Sequence, residues 1–301
     1  MSAREPAGIS LEDVRAAFGR LPGPVVVFNK SHSGSRLLAE LIEESGIFMG
    51  AHQNESRDSL DMLGLVEDLV LRYYPDYSSL WDGRRAVDLA LSQFARNVVE
   101  SHLQGCPEGR AWGWKLCETA FILPVVDYLF PRARYIHLIR DGRDVAFSDH
   151  HAPDKPFWKK IYFNTDKIVG WQDLALTWED YGRRSPIYNA LHWANSVLVG
   201  RTYGQMLRDR YLEIRYEDLC LDFDRTAGLV LDFAGAPDPS GAIARVRPRV
   251  RTDRVRAYLN QPRRKVRKVS ELIKPLLLAL GYLEDDDRGR RARPGFFRRH
   301  R

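Results

Sequence analysis

Val25-Val26-Val27-Phe28-Asn29-Lys30-Ser31-His32-Ser33-Gly34-Ser35-Arg36-Leu37-Leu38 is the stretch that decides the architecture. Four apolar, mostly β-branched residues in a row read as a strand buried on both faces. A polar turn rich in small residues follows. Beyond it Leu37, Leu38, Leu41 and Ile42 recur at helical spacing as far as Gly46. Strand, tight loop and helix in that order open a parallel α/β sheet.

The rest of the chain repeats the theme. Trp112-Gly113-Trp114-Lys115-Leu116, Tyr135–Ile139 and Tyr211–Arg215 read as further strands. Helical periods lie between and after them, at 57–72, 84–104, 119–130, 166–181 and 186–209, then from the fourth strand toward residue 235 and at 271–280. Residues 151–165, rich in Pro and aromatics, and the strongly basic 237–268 show no period and read as irregular. The alternation predicts an α/β fold with three α/β/α layers and a central parallel sheet of about four to five strands. Residues 1–23 read as an N-terminal helix and lead-in, 24–283 as the domain, and 284–301 as a basic, disordered tail.

Composition narrows the class. The chain has 301 residues, 44% hydrophobic and 29% charged, which excludes a fibrous or mostly disordered protein. Its net charge of +6 is unevenly placed. Residues 245–301 carry 19 Lys+Arg against 6 Asp+Glu, or +13, which leaves −7 for residues 1–244. No apolar run is long enough to span a membrane, and the polar N-terminus does not read as a signal peptide. Cys106, Cys117 and Cys220 stand far apart without metal-ligand spacing. These features predict a cytoplasmic protein with reduced thiols and no metal site.

In a parallel sheet, ligands bind beyond the C-terminal strand ends. Four loops should therefore share one rim: Asn29–Arg36, the stretch after Lys115, Arg140–Ser148, and the stretch after Arg215. In the first, small residues let backbone N–H groups approach an anion at a helix N-terminus. Ser33 and Ser35 add hydroxyls there, and Lys30, His32 and Arg36 add charge. This is phosphate chemistry, although the same turn would also serve as an ordinary helix start. It is not a Walker A loop, because Gly34 is followed by Ser35-Arg36 and not by Lys-Ser/Thr. In the third loop, Arg140 leaves a strand end, and Ser148 falls one to two turns into the helix expected near Arg143. The two can converge on one phosphate. Alternatively Arg140 and Asp144 form a local ion pair and Ser148 is incidental.

Together these stretches resemble the PAPS-dependent sulfotransferase family, a fold related to P-loop NTPases. His32-Ser33-Gly34-Ser35-Arg36-Leu37-Leu38 is similar to the family's 5′-phosphosulfate loop, and Arg140 with Ser148 to its 3′-phosphate site. Lys115, Phe130-Pro131, Ile214-Arg215-Tyr216-Glu217-Asp218-Leu219 and Leu280-Gly281-Tyr282 fit the same order, over about residues 24–282. The resemblance implies PAPS (3′-phosphoadenosine 5′-phosphosulfate) as cofactor. Its binding residues would be Lys30, His32, Ser33, Gly34, Ser35, Arg36, Arg140, Ser148 and Tyr216, the last near the adenine. It implies metal-independent, in-line sulfuryl transfer to a hydroxyl or amine of a small-molecule, glycan or natural-product acceptor.

Two departures stand out. His32 occupies a position where the family has Lys or Arg, so either His32 or Lys30 supports the departing phosphate. The family's C-terminal Arg-Lys-Gly clamp is absent, and Arg263-Arg264-Lys265 is the nearest candidate. Lys115 is expected at the sulfuryl oxygens. Glu118, three residues on, is the first choice of general base, with Glu55, His52, His150 and His151 as alternatives.

Two other classes compete. A nucleotide-dependent kinase on a related scaffold needs the Walker Lys and Mg²⁺ ligands. A nucleic-acid-binding protein would use residues 245–268 and the tail Arg288–Arg301, but that region has few interleaved aromatics and no recognised motif, so no nucleic acid is expected. Residues 245–268 fit better as a basic cover over an anionic cofactor. The insert 50–110 and the aromatic run Phe157–Phe163 are expected to shape the acceptor pocket.

Overall fold

The computed structural model describes residues 21–76, 96–149, 155–163 and 177–283. The expected N-terminal helix, most of the helix at 84–104 and the tail from 284 lie outside the described residues.

The chain forms β1 (Val25–Asn29), α1 (Ser35–Glu44), α2 (Leu60–Tyr73), β2 (Gly113–Lys115), α3 (Leu123–Leu129) and β3 (Arg134–Ile139). There follow α4 (Gly142–Ala146), α5 (Pro156–Phe163), α6 (Tyr181–Leu207), β4 (Tyr211–Arg215), α7 (Tyr216–Leu221) and α8 (Phe223–Ala234). The last elements are α9 (Pro239–Val246), α10 (Arg263–Leu272) and α11 (Lys274–Ala279). Among the described residues the sheet has four strands in the order β2-β1-β3-β4. All three pairings are parallel. The three-layer α/β/α fold read from the sequence is the fold observed.

Alternation along the strands sorts the core into two faces. Val26, Phe28, Trp114 and Tyr135 enter one cluster, with Met62 and Val66 of α2, Leu123 of α3, Phe157 of α5 and Tyr188 of α6. Val25, Val27, Ile136, Leu138 and Ile214 enter the other, with Leu38 and Leu41 of α1 and Val230 and Leu231 of α8. Covering both faces is what a parallel sheet requires.

Four expectations are corrected. Residues 151–165 are not all loop. Pro156 fits the first turn of α5, where its missing N–H costs nothing, and Phe157 and Ile161 lie buried one turn apart. Residues 237–268 are not irregular. Asp238 caps α9 by accepting from the Gly241 N–H at 2.9 Å, and α10 follows from Arg263. The helix break expected near Pro186 is absent, because Pro186 lies inside α6, near its start. Ser148 is not inside a helix. It follows the five-residue α4 and its cap Phe147.

The uneven charge has a structural counterpart. Arg245 pairs with Glu44 and Asp238, Arg247 with Asp224, and Arg249 with Glu40 and Glu44. These pairs lie at the surface and contribute little stability each. They do give the basic C-terminal segment a register on the acidic body. No described helix is long and apolar enough to cross a membrane.

Candidate functional site

Because all four strands run in parallel, their C-terminal ends form one rim. β1 lies inside the sheet, with β2 and β3 on either side, where the strand order reverses; such a point is where α/β sheets open a ligand crevice.

The loop after β1 turns tightly, with Ser33 N–H donating to Lys30 O at 3.1 Å. Gly34 caps α1 at φ +85, in the left-handed region. A Cβ there would lie 2.2 Å from Cε2 of Tyr216, so the loop packs its backbone against that ring. Ser33 Oγ is buried and has no hydrogen-bond partner among the described residues. It stands just before the N-terminus of the ten-residue α1, whose first N–H groups are not used within the helix. A buried, unpartnered hydroxyl beside a helix N-terminus fits an oxyanion, and the same loop buries the Lys30 ammonium, which donates to Ser31 O at 3.2 Å. Arg36 is turned away, 65% exposed, and pairs with Glu40 at 3.1 Å.

Burial sets the charges in this loop. Lys30 is 2% exposed, and desolvation lowers its ammonium to about 8, with Glu118 among the groups that offset the loss. It remains mostly cationic at neutral pH. His32 sits at the outer edge. The protein around its ring desolvates it, and Lys30 and Arg140 add like charge, so its imidazole falls to about 4 and is neutral at pH 7.

The end of β2 supplies the second group. Lys115 is 2% exposed and makes an ion pair with Asp58 at 2.7 Å. Its ammonium also donates to Ser56 O at 3.0 Å. Burial opposes this charge, but Cys117, Asp58 and Glu118 together outweigh it and raise the group. Glu118 is buried, and desolvation, followed by the charge of Asp58, pushes its carboxyl up to about 7. Its Oε1 accepts from the Ser31 hydroxyl at 3.2 Å, which links the two loops. Asp58→Ala is expected to cost about 3 kcal/mol in urea unfolding, because it leaves the Lys115 ammonium buried without its partner.

The end of β3 carries Arg140. Arg140 does pair with Asp144, at 3.1 Å, and Nη1 donates to His32 O at 3.2 Å, tying this loop to the first. Its Cζ lies 4.7 Å from the centre of the Tyr216 ring at the end of β4. Trp193 of α6 donates to Arg140 O at 2.9 Å, and Gly142 packs so closely that a Cβ would lie 2.6 Å from the Trp193 ring. The Ser148 hydroxyl donates to Val145 O at 2.7 Å.

The structure thus brings Lys30, Lys115 and Glu118 together on the β1–β2 side, and His32, Gly34, Arg140 and Tyr216 on the β1–β3–β4 side. Of the alternative bases, His52 is over half exposed and bonds Asp61 at 3.0 Å, and Glu55 is exposed. His150 and His151 lie outside the described residues. Arg263, Arg264 and Lys265 lie exposed on α10. Asp58 escaped the sequence reading, since no local pattern joins it to Lys115. The Arg140–Asp144 spacing was a usable signal, but the other partners of Asp144 were not.

The parallel sheet with its loops gathered on one rim defines an α/β class, and comparison with known proteins makes the family specific. A sequence model of the sulfotransferase family matches residues 30–240, and the chain belongs to that family. Solved structures similar to it include the sulfotransferase domain from the curacin biosynthetic pathway, at 19% identity over 78% of this chain and 80% of that one, TM-score 0.46. Another is the sulfotransferase domain from the Synechococcus PCC 7002 olefin synthase, at 17% identity over 85% and 96%, TM-score 0.46. A third is sulfotransferase STF1 from Mycobacterium tuberculosis H37Rv, at 12% identity over 86% and 80%, TM-score 0.47. A search of curated proteins gives no match.

Proposed function

We propose that the chain transfers a sulfuryl group from PAPS to a hydroxyl or amine of a small-molecule, glycan or natural-product acceptor. The observation that carries this reading is the buried, unpartnered Ser33 hydroxyl beside the α1 N-terminus, in the loop that also buries the Lys30 ammonium. Bound there, the cofactor would supply an activated sulfuryl group on a phosphate that leaves readily. Transfer of this kind asks the protein for positioning and charge stabilisation.

Lys30, cationic at neutral pH, neutralises the charge arriving on the phosphate oxygen; His32, neutral there, contributes shape and its carbonyl. Ser33 and Ser35 donate to the 5′ side. Arg140 and Ser148, the latter released from Val145 O, would hold the 3′-phosphate, and Tyr216 would face the adenine. Glu118 takes the proton of the acceptor as its oxygen or nitrogen bonds to sulfur, and burial has already moved its carboxyl into the range a base needs near pH 7. Lys115, held by Asp58, keeps positive charge beside that carboxylate.

Thermal shift tests the cofactor. PAP (3′-phosphoadenosine 5′-phosphate) is expected to raise the melting temperature, and stabilisation by ATP with Mg²⁺ alone would overturn the reading. An acceptor panel with labelled PAPS then identifies the second substrate.

A further inference from the structure

The carboxylate of Asp144 is a junction. Its side chain is fully buried. Oδ2 accepts from Arg140 Nη2 at 3.1 Å and Nε at 3.3 Å. The same oxygen accepts the backbone N–H of Arg256 at 3.0 Å, and Oδ1 accepts that of Tyr258 at 2.8 Å. Arg140 Nη2 also donates to Arg254 O at 2.5 Å. Residues 251–258 are therefore fastened to this Arg–Asp pair by three backbone groups. Arg256 holds φ +59, a left-handed conformation that costs energy in a non-glycine residue and so needs these bonds to fix it.

The geometry leaves Arg140 little freedom. A guanidinium has five N–H groups. Asp144, His32 O and Arg254 O engage four of them, which leaves one on Nη1 without a partner among the described residues. We infer that Asp144 is a positioning residue: it fixes residues 251–258 as a strap over Arg140 and thereby aims Arg140 at the 3′-phosphate of the cofactor. The inference rests on the PAPS reading above and adds to it the residue that makes the 3′-phosphate count. Arg251 and Arg254 stand exposed on the same strap, each paired with Asp253, so fixing it also fixes this charged cluster. Charge is not enough by itself; a mobile strap would give only diffuse attraction to any anion.

Titration calorimetry with PAP and with adenosine 5′-phosphate, which lacks the 3′-phosphate, separates the effects. Asp144→Asn keeps the shape but puts an NH₂ group among donors. It is expected to lower the PAP-to-AMP affinity ratio at least tenfold while AMP binding stays within about threefold. A residue that only supported the fold would weaken both ligands together, and an unchanged ratio in this variant overturns the inference. Should the variant fail to fold, hydrogen exchange on the native chain decides. PAP, but not AMP, is expected to slow exchange of peptides covering 251–260, and equal exchange with both overturns the proposal. A native chain that binds no PAP at all removes the cofactor reading itself, a result distinct from either of these.

Discussion

Glu118→Gln is expected to lower sulfuryl transfer by about two to four orders of magnitude, the usual loss when a positioned base is removed. Affinity for PAP should fall far less than transfer does, because the Gln amide oxygen can still accept from the Ser31 hydroxyl. Single-turnover transfer from labelled PAPS to the best acceptor of the panel measures the first, and calorimetry the second. The pH profile gives a further check. With the carboxyl pushed up to about 7, wild-type transfer should rise with pH through that value. The same shift weakens folding. The unfolded glutamate releases its proton near 4.5 and the folded one near 7, so stability attributable to this group is lost as pH rises between those values. The Gln variant should lose less stability across that window. Near-normal turnover would exclude Glu118 as the base.

Gly34→Ala is the other large effect. The methyl group would meet φ +85 and a contact of 2.2 Å with the Tyr216 ring at once. Left-handed backbone alone costs an alanine about 1–2 kcal/mol. Relief of the contact must move the ring, the loop, or both, and the ring lies against Arg140. PAP affinity is therefore expected to fall about 100-fold, or about 2.7 kcal/mol. The double variant Gly34→Ala/Tyr216→Ala should recover part of the lost thermal stability without recovering binding. No recovery of stability would show that the ring contact is not the source of the damage.

β1 and β3 were legible as short runs of mostly apolar residues closed by polar loops, and β2 and β4 by aromatic and aliphatic residues alternating with Gly, Lys or Glu. The helix at Pro156 was missed although its signal was present. A proline in the first turn and an apolar pair four residues apart were masked by the density of aromatics. Asp238-Pro239, an N-cap followed by a proline, was likewise overlooked in a basic stretch. In the site, the loop chemistry could be read locally, and so could the four-residue spacing of Arg140 and Asp144. The charge states could not. Lys30 and Glu118 owe their shifts to burial by distant elements, and Lys115 meets Ser56 across 59 residues. The amides that Asp144 accepts lie 112 and 114 residues further on, and no spacing rule reaches that far.

Chain order gives the strap a consequence for biosynthesis. A ribosome releases the polypeptide from its N-terminus, and all four described strands have been made once Arg215 has emerged. At that stage Arg140 has no Arg254 carbonyl to engage, and Asp144 has neither of its two amides. A nascent chain that stops short of residue 251 holds the four described strands but lacks these three partners of the Arg140–Asp144 pair. The Arg140–Asp144 junction is thus completed only after the four described strands have been made.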